Sequence, residues 1–143
     1  MPATRQALAR TTLRPASGSR YRHAMEEILA DLGRLYTALG SSSRDILLIG
    51  GLAVRAHVGE SARVTGDIDL VAMTPEARAA LDAALHVLGY VTGVMGPWSR
   101  ASPCDGSRRF IDIIGHPVVD VRTFDAVTLR GVPQSLDLGG VRV

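Results

Sequence analysis

Lysine is absent, and all sixteen basic side chains of this chain are arginine. Uniform arginine in a background rich in alanine and glycine reads as coding bias rather than as a binding signal. Aromatic residues make up only 4% of the chain. Leu, Val, Ile and Ala must therefore fill the interior, and no side chain stands out as a base-stacking platform. Trp98 and Tyr90 read as packing residues. The longest apolar run, Ile46 to Val54, is far short of the ~20 residues that cross a bilayer, so no membrane association is expected. The single Cys104 excludes an intramolecular disulfide and points to a reducing, cytoplasmic setting.

Acidic residues are missing from the first 23 positions, which carry Arg5, Arg10, Arg14, Arg20 and Arg22. The rest of the chain holds the other eleven arginines and all fourteen acids. The formal charge of +2 thus hides a mildly acidic body, which argues against a broad nucleic-acid surface. Residues 1–20 mix Arg, Thr, Ser and Pro without periodicity and are expected to form a disordered basic tail. Residues 21–143 are long enough for one domain with a real core.

Met25, Ile28, Leu29, Leu32, Leu35 and Tyr36 recur at helical spacing between Tyr21 and Gly40, with Glu26, Glu27, Asp31 and Arg34 assigned to the solvent side. Ile46 to Ile49 is a short apolar run that suits a buried strand. It ends at Gly50-Gly51, and a short helix over Leu52–Val58 carries Arg55 and His57. A polar loop then leads to a strand over Asp67–Met73, on which Ile68 and Leu70 face one way and Asp67 and Asp69 the other. Thr74-Pro75-Glu76 is a helix start, and Ala77 to Leu88 follow at helical spacing until Gly89. Tyr90–Val94 reads as a short strand and Gly96–Arg108 as a loop. Phe110–Ile114 and Val118–Thr123 read as two strands of a hairpin turning at Gly115-His116-Pro117. Phe124–Arg130 suggests a turn of helix, and Leu138–Val143 opens another strand.

Two Asp at i and i+2 on a strand project from one face about 7 Å apart. They would repel each other without a cation, and Mg²⁺ favours such hard oxygen ligands with phosphates completing its shell. A third carboxylate from a neighbouring strand would complete a site for in-line phosphoryl displacement. Asp120, in Val119-Asp120-Val121, and Asp112, in Ile111-Asp112-Ile113, both have the required apolar flanks. A strand running into Gly50-Gly51 and a helix start lets backbone N–H groups approach a phosphate. Arg55 and Arg63 are the nearest cations, and Thr65 can orient Asp67 or a water. Taken singly, the glycines are an ordinary tight turn and Asp-x-Asp an ordinary cap. No G-x-G-x-x-G follows the first strand, which speaks against a dinucleotide-binding domain.

Together, Gly50, Gly51, His57, Arg63, Thr65, Asp67, Asp69 and Leu70 resemble the nucleotidyltransferase-fold superfamily, most closely the minimal bacterial branch that includes AbiEii-type toxin nucleotidyltransferases. The resemblance spans about residues 45 to 125. It implies an α/β (α+β) fold, a mixed central sheet of about four to five strands with helices packed on it. It further implies transfer of a nucleoside monophosphate from an NTP to an acceptor, with Mg²⁺ or Mn²⁺ as cofactor. Gly50, Gly51, Arg55, Arg63 and Thr65 would bind substrate, and Asp67, Asp69 and Asp120 would bind metal and carry the chemistry. In that branch the third carboxylate follows a hairpin and precedes a Phe-containing turn, which favours Asp120, before Phe124, over Asp112. The acceptor class, whether tRNA, a protein hydroxyl or a small molecule such as an aminoglycoside, is not specified, and a partner protein or antitoxin is compatible with the branch. Three departures stand out: Gly51 replaces a common Ser, no Lys is present, and the C-terminal helices usual in the branch do not follow. These departures fit a truncated domain, a subunit needing a partner or a degenerate copy, and a catalytically inactive nucleotide- or partner-binding module of the same fold is the alternative expectation.

Overall fold

The computed structural model describes residues 18–59, 66–120, 122–130, 135, 137, 138 and 140–143. Helix α1 runs over Gly18–Leu39, followed by a 3-10 turn, Gly40–Asp45. Strand β1 is Ile46–Ile49, α2 Gly50–Val58, β2 Ile68–Ala72 and α3 Pro75–Val87. Strands β3 (Tyr90–Val94), β4 (Trp98–Pro103) and β5 (Ile111–Gly115) complete the main sheet. Two small hairpins follow, β6 (Val118–Val119) with β7 (Ala126–Val127), and β8 (Asp137–Leu138) with β9 (Val141–Arg142). Most of the expected basic tail, residues 1–17, lies outside the described residues.

The main sheet has the order β1-β2-β5-β4-β3. Only β2 and β5 run parallel; the other three pairings are antiparallel. A parallel pair needs a long crossover, and here α3, β3 and β4 supply it. The α3 start forms as its residues dictate. The Thr74 hydroxyl accepts the Ala77 N–H at 3.1 Å, and Pro75 occupies the first turn. Ile68 and Leu70 of β2 and Ile111 and Ile113 of β5 are fully buried in one core with Leu32 and Leu35 of α1, Leu52 of α2 and Leu81 and Leu85 of α3. Burial of each such side chain stabilises the fold by about 1.5–3 kcal/mol. No helix among the described residues is long and apolar enough to cross a membrane.

Three expectations are corrected. The stretch 96–108 is not all loop, because it contains β4 in the interior of the sheet. The inward residues of β4 are the small Ser99 and Ala101, both buried, so it lacks the apolar alternation that marks a strand. The Ser99 hydroxyl is served by Arg78 of α3 at 2.9 Å, which removes the cost of burying it. The hairpin expected between the FIDII and VVDVR stretches is also absent. Strand β5 already has β2 on one edge and β4 on the other, so β6 pairs with β7 instead, where a turn of helix was expected. Finally, Asp31 does not face solvent: it is 4% exposed. Arg109 Nε donates to Asp31 Oδ2 at 2.6 Å, Tyr90 Oη donates to the same oxygen at 3.1 Å, and Arg34 donates to Oδ1. Burial, reinforced by the charge of Asp31, pushes the Tyr90 phenol up to about 12.

Candidate active site

The strand register builds a row of charge across the sheet. Ile49 of β1 pairs with Asp69 of β2, Asp69 with Asp112 of β5, and Asp112 with Arg100 of β4. Partners directly opposite in a sheet share a face. The row therefore lies on the face opposite Ile68, Leu70, Ile111 and Ile113, whose burial in the core leaves the charged side chains pointing away from it. Asp67 immediately precedes β2 and is half-buried.

At one end of the row the chain turns from β1 into α2. Gly50 has φ +69°, the left-handed region that glycine enters without steric cost. A β-carbon on Gly50 would stand 3.0 Å from Asp69 Cγ and closer still to Oδ2. The turn thus brings bare backbone against the Asp69 carboxylate, and α2 begins there without a side-chain cap. Its first N–H groups are the orphan donors of a helix start.

At the other end, Arg100 meets Asp112 side-on. Nε donates to Oδ1 at 2.7 Å and Nη2 to Oδ2 at 2.8 Å. The guanidinium also lies over the Phe110 ring, 4.9 Å from its centroid, a favourable cation–π placement. The hydrogen bonds to Asp112, and then the charges of Asp112, Asp67 and Asp69, raise the Arg100 pKa further. Asp69 feels the opposite imbalance. Partial burial, followed by the neighbouring charges of Asp112 and Asp67, raises its pKa, and Arg100 offsets this only in part. Three carboxylates around one guanidinium leave an excess of negative charge.

That excess is the feature a divalent cation answers. Asp67 and Asp69 carry hard carboxylate oxygens, the ligand type such an ion takes with phosphates completing its shell. A three-carboxylate cage is not formed: among the described residues no three His, Cys, Asp or Glu side chains group to hold a metal. Asp112, which the register sets beside Asp69, turns both oxygens to Arg100.

Asp120 is not part of this row. It is exposed and sits between β6 and β7, outside the main sheet. Its Oδ1 accepts the N–H groups of Arg122 at 2.7 Å and Thr123 at 3.3 Å, and the Phe124 N–H donates to its carbonyl at 2.7 Å. The carboxylate closes a turn. The carboxylate that the sheet brings to Asp69 is the alternative, Asp112, because β5 rather than β6 is the neighbour of β2. Gly51 lies in the first turn of α2 and Arg55 in its last, where the Arg55 carbonyl accepts the Gly59 N–H at 2.8 Å. Arg63 and Thr65 lie outside the described residues. The residue that sequence reasoning missed is Arg100. Its only signal was the alternation of small Ser99 and Ala101 around one charge.

A separate cleft of about 1090 Å³ opens between α1, β1, α2 and the C-terminal hairpin, lined by Tyr36, Leu47, Ile49, His57 and Arg142 among others. It contains none of Asp67, Asp69, Asp112 and Arg100.

No protein-family description matches the sequence, and no curated protein matches it. Solved structures do. The crystal structure of ANT(2'')-Ia in complex with adenylyl-2''-tobramycin superposes with a TM-score of 0.58 at 19% identity, covering 82% of this chain and 68% of that one. The solution structure of the antibiotic-resistance factor ANT(2'')-Ia gives a TM-score of 0.48 at 18% identity, covering 87% of this chain and 62% of that one. The likeness is one of architecture, and with the five-stranded mixed sheet and its helices it shows that this chain has the nucleotidyltransferase fold.

Proposed function

We propose that the chain transfers a nucleoside monophosphate from an NTP to a hydroxyl group on an acceptor, releasing pyrophosphate. The observation that carries this reading is the parallel register of β2 and β5, which sets Asp69 beside Asp112 where β1 turns at Gly50. Asp67 and Asp69 are the residues that would hold Mg²⁺ or Mn²⁺, whose charge would offset that of the triphosphate. The Gly50-Gly51 turn and the start of α2 present backbone N–H groups to phosphate oxygens. Asp112 is assigned the role first given to Asp120. Each of its oxygens, although engaged with Arg100, keeps a further lone pair. The proton of the acceptor hydroxyl passes there as its oxygen attacks the α-phosphorus and the bond to the pyrophosphate oxygen breaks.

For the acceptor we favour a cationic small molecule. Beyond the first 23 residues, acids outnumber arginines by fourteen to eleven, a balance that attracts an amine-bearing sugar and repels a polyanion such as tRNA. The neighbour captured with an adenylylated tobramycin supports the same choice. An AbiEii-like toxin acting on tRNA or on a protein hydroxyl, with an antitoxin as partner, is the finer alternative.

Incubation with labelled NTPs, Mg²⁺ and a panel of aminoglycosides, tRNA and protein acceptors tests this. Label should move to an aminoglycoside and vanish in Asp67→Ala and Asp69→Ala; transfer that persists in both variants removes these carboxylates from the mechanism. One observation favours a second reading, an inert nucleotide-binding module: the third carboxylate is already neutralised by Arg100. That reading expects NTP binding with no transfer to any acceptor.

A further inference from the structure

Resting on the reading of Asp67 and Asp69 as the cation site, we propose that Arg100 is a positioning residue that withholds Asp112 from the metal. It acts as the resident counter-cation of the carboxylate row, so that the free protein offers a divalent ion two carboxylates rather than three. The argument begins with register. Asp112 stands between Asp69 on β2 and Arg100 on β4, one residue from each across the sheet. Its carboxylate has two directions in which to find positive charge: toward a cation shared with Asp69, or toward the guanidinium.

The geometry shows which it takes. The guanidinium engages both oxygens, at 2.7 and 2.8 Å. This paired arrangement fixes the carboxylate plane as well as neutralising its charge. Arg100 is itself held in place from a second side, because its guanidinium carbon lies over the Phe110 ring. A group clamped by an aromatic ring and a carboxylate gives up little further freedom in remaining there. The register sets Asp112 in line with Asp69, yet among the described residues no three-carboxylate group forms, and both Asp112 oxygens engage Arg100.

Two functions follow for one side chain. Arg100 keeps Asp112 aligned for the acceptor hydroxyl, and it limits cation binding before the NTP arrives with its own phosphates. Arg109, two residues before β5, is committed to Asp31, and the guanidinium that meets Asp112 is that of Arg100.

The test is Mn²⁺ binding to the full chain without nucleotide, read from the loss of the free-ion paramagnetic resonance signal. Arg100→Gln should tighten Mn²⁺ binding roughly tenfold or more by freeing a third oxygen ligand and removing a positive charge. Arg100→Lys, which keeps the charge but loses the paired fork, should tighten it by a smaller factor; this variant carries the test if the glutamine form does not fold. Asp112→Asn should cost far more affinity in the Arg100→Gln background than in the unmodified chain, because only there does Asp112 reach the ion. Unchanged or weaker binding in both Arg100 variants overturns the role of Arg100 while leaving the Asp67–Asp69 site intact. An Asp112→Asn cost that is equal in the two backgrounds overturns it as well. Mn²⁺ binding that is absent in every form, or unaffected by Asp67→Asn and Asp69→Asn, overturns the underlying cation site together with the proposal.

Discussion

Gly50 and Asp69 are in such close contact that no β-carbon fits between them: one built on Gly50 would lie 3.0 Å from Asp69 Cγ. Glycine is required there twice over, by its φ of +69° and by the carboxylate. Gly50→Ala should therefore destabilise the fold by about 2–4 kcal/mol, combining left-handed backbone strain with displacement of Asp69. Gly89→Ala is the control. It has φ +83° but nothing within 4 Å of its β-carbon position, so it should cost only about 1 kcal/mol. Urea denaturation of the two variants measures the difference.

The row of carboxylates also sets a pH dependence. Burial, with the charges of Asp112 and Asp67, raises the Asp69 pKa above its ordinary 3.8 in the native state. A raised carboxyl holds its proton in the folded chain to higher pH than in the unfolded chain. The stability it contributes is then complete below about 3.8 and falls as pH rises through the raised native value. Asp69→Asn removes that fall. In chelator at pH 7 the variant should melt at an equal or higher temperature than the unmodified chain, and the gap should close on acidification. A large drop in its melting temperature at pH 7 would make Asp69 a structural residue.

Asp31 tests the support beneath the site. Its carboxylate is 3% exposed and binds Arg109, which lies just before β5, while Tyr90 joins it from β3. Asp31→Ala takes the acceptor from the Arg109 Nε and from the Tyr90 phenol, while Arg109 keeps Glu27 and Asp105, and should cost about 2–3 kcal/mol. Tyr90→Phe, which removes one neutral donor, should cost about 1 kcal/mol. Chemical denaturation of both variants checks the ratio.

Asp120 and Asp112 separate cleanly by mutation. Asp120→Ala loses two backbone hydrogen bonds of an exposed turn and should cost about 1 kcal/mol without changing Mn²⁺ affinity or transfer. Asp112→Ala should abolish transfer. The opposite pattern in a labelled-NTP assay would return the third-carboxylate role to Asp120.

The parts of this molecule that local chemistry dictates were readable in advance. The Thr74-Pro75 helix start, the α1 and α3 stripes, β1, and the glycine turn beside the Asp-x-Asp strand all follow from nearest-neighbour patterns. What escaped depends on who pairs with whom. Ile111-Asp112-Ile113 and Val119-Asp120-Val121 carry the same apolar flanks, and only the non-local parallel pairing of β2 with β5 distinguishes them. Strand β4 stayed hidden because its inward side chains, Ser99 and Ala101, are small and one is polar. Its burial is secured by Arg78 from another element, a partner no local window contains. Arg100 was missed with it, and Asp31 was placed in solvent because the residues that satisfy it come from β3 and the approach to β5.

Anomalous scattering from crystals grown with Mn²⁺ and a non-hydrolysable NTP addresses the central claim most directly. The account predicts an anomalous peak within coordination distance of the Asp67 and Asp69 carboxylates, about 2.0–2.2 Å, with the triphosphate against the Gly50-Gly51 turn. A peak and nucleotide lodged instead in the cleft between α1 and β1, or no peak at the two aspartates, would contradict it.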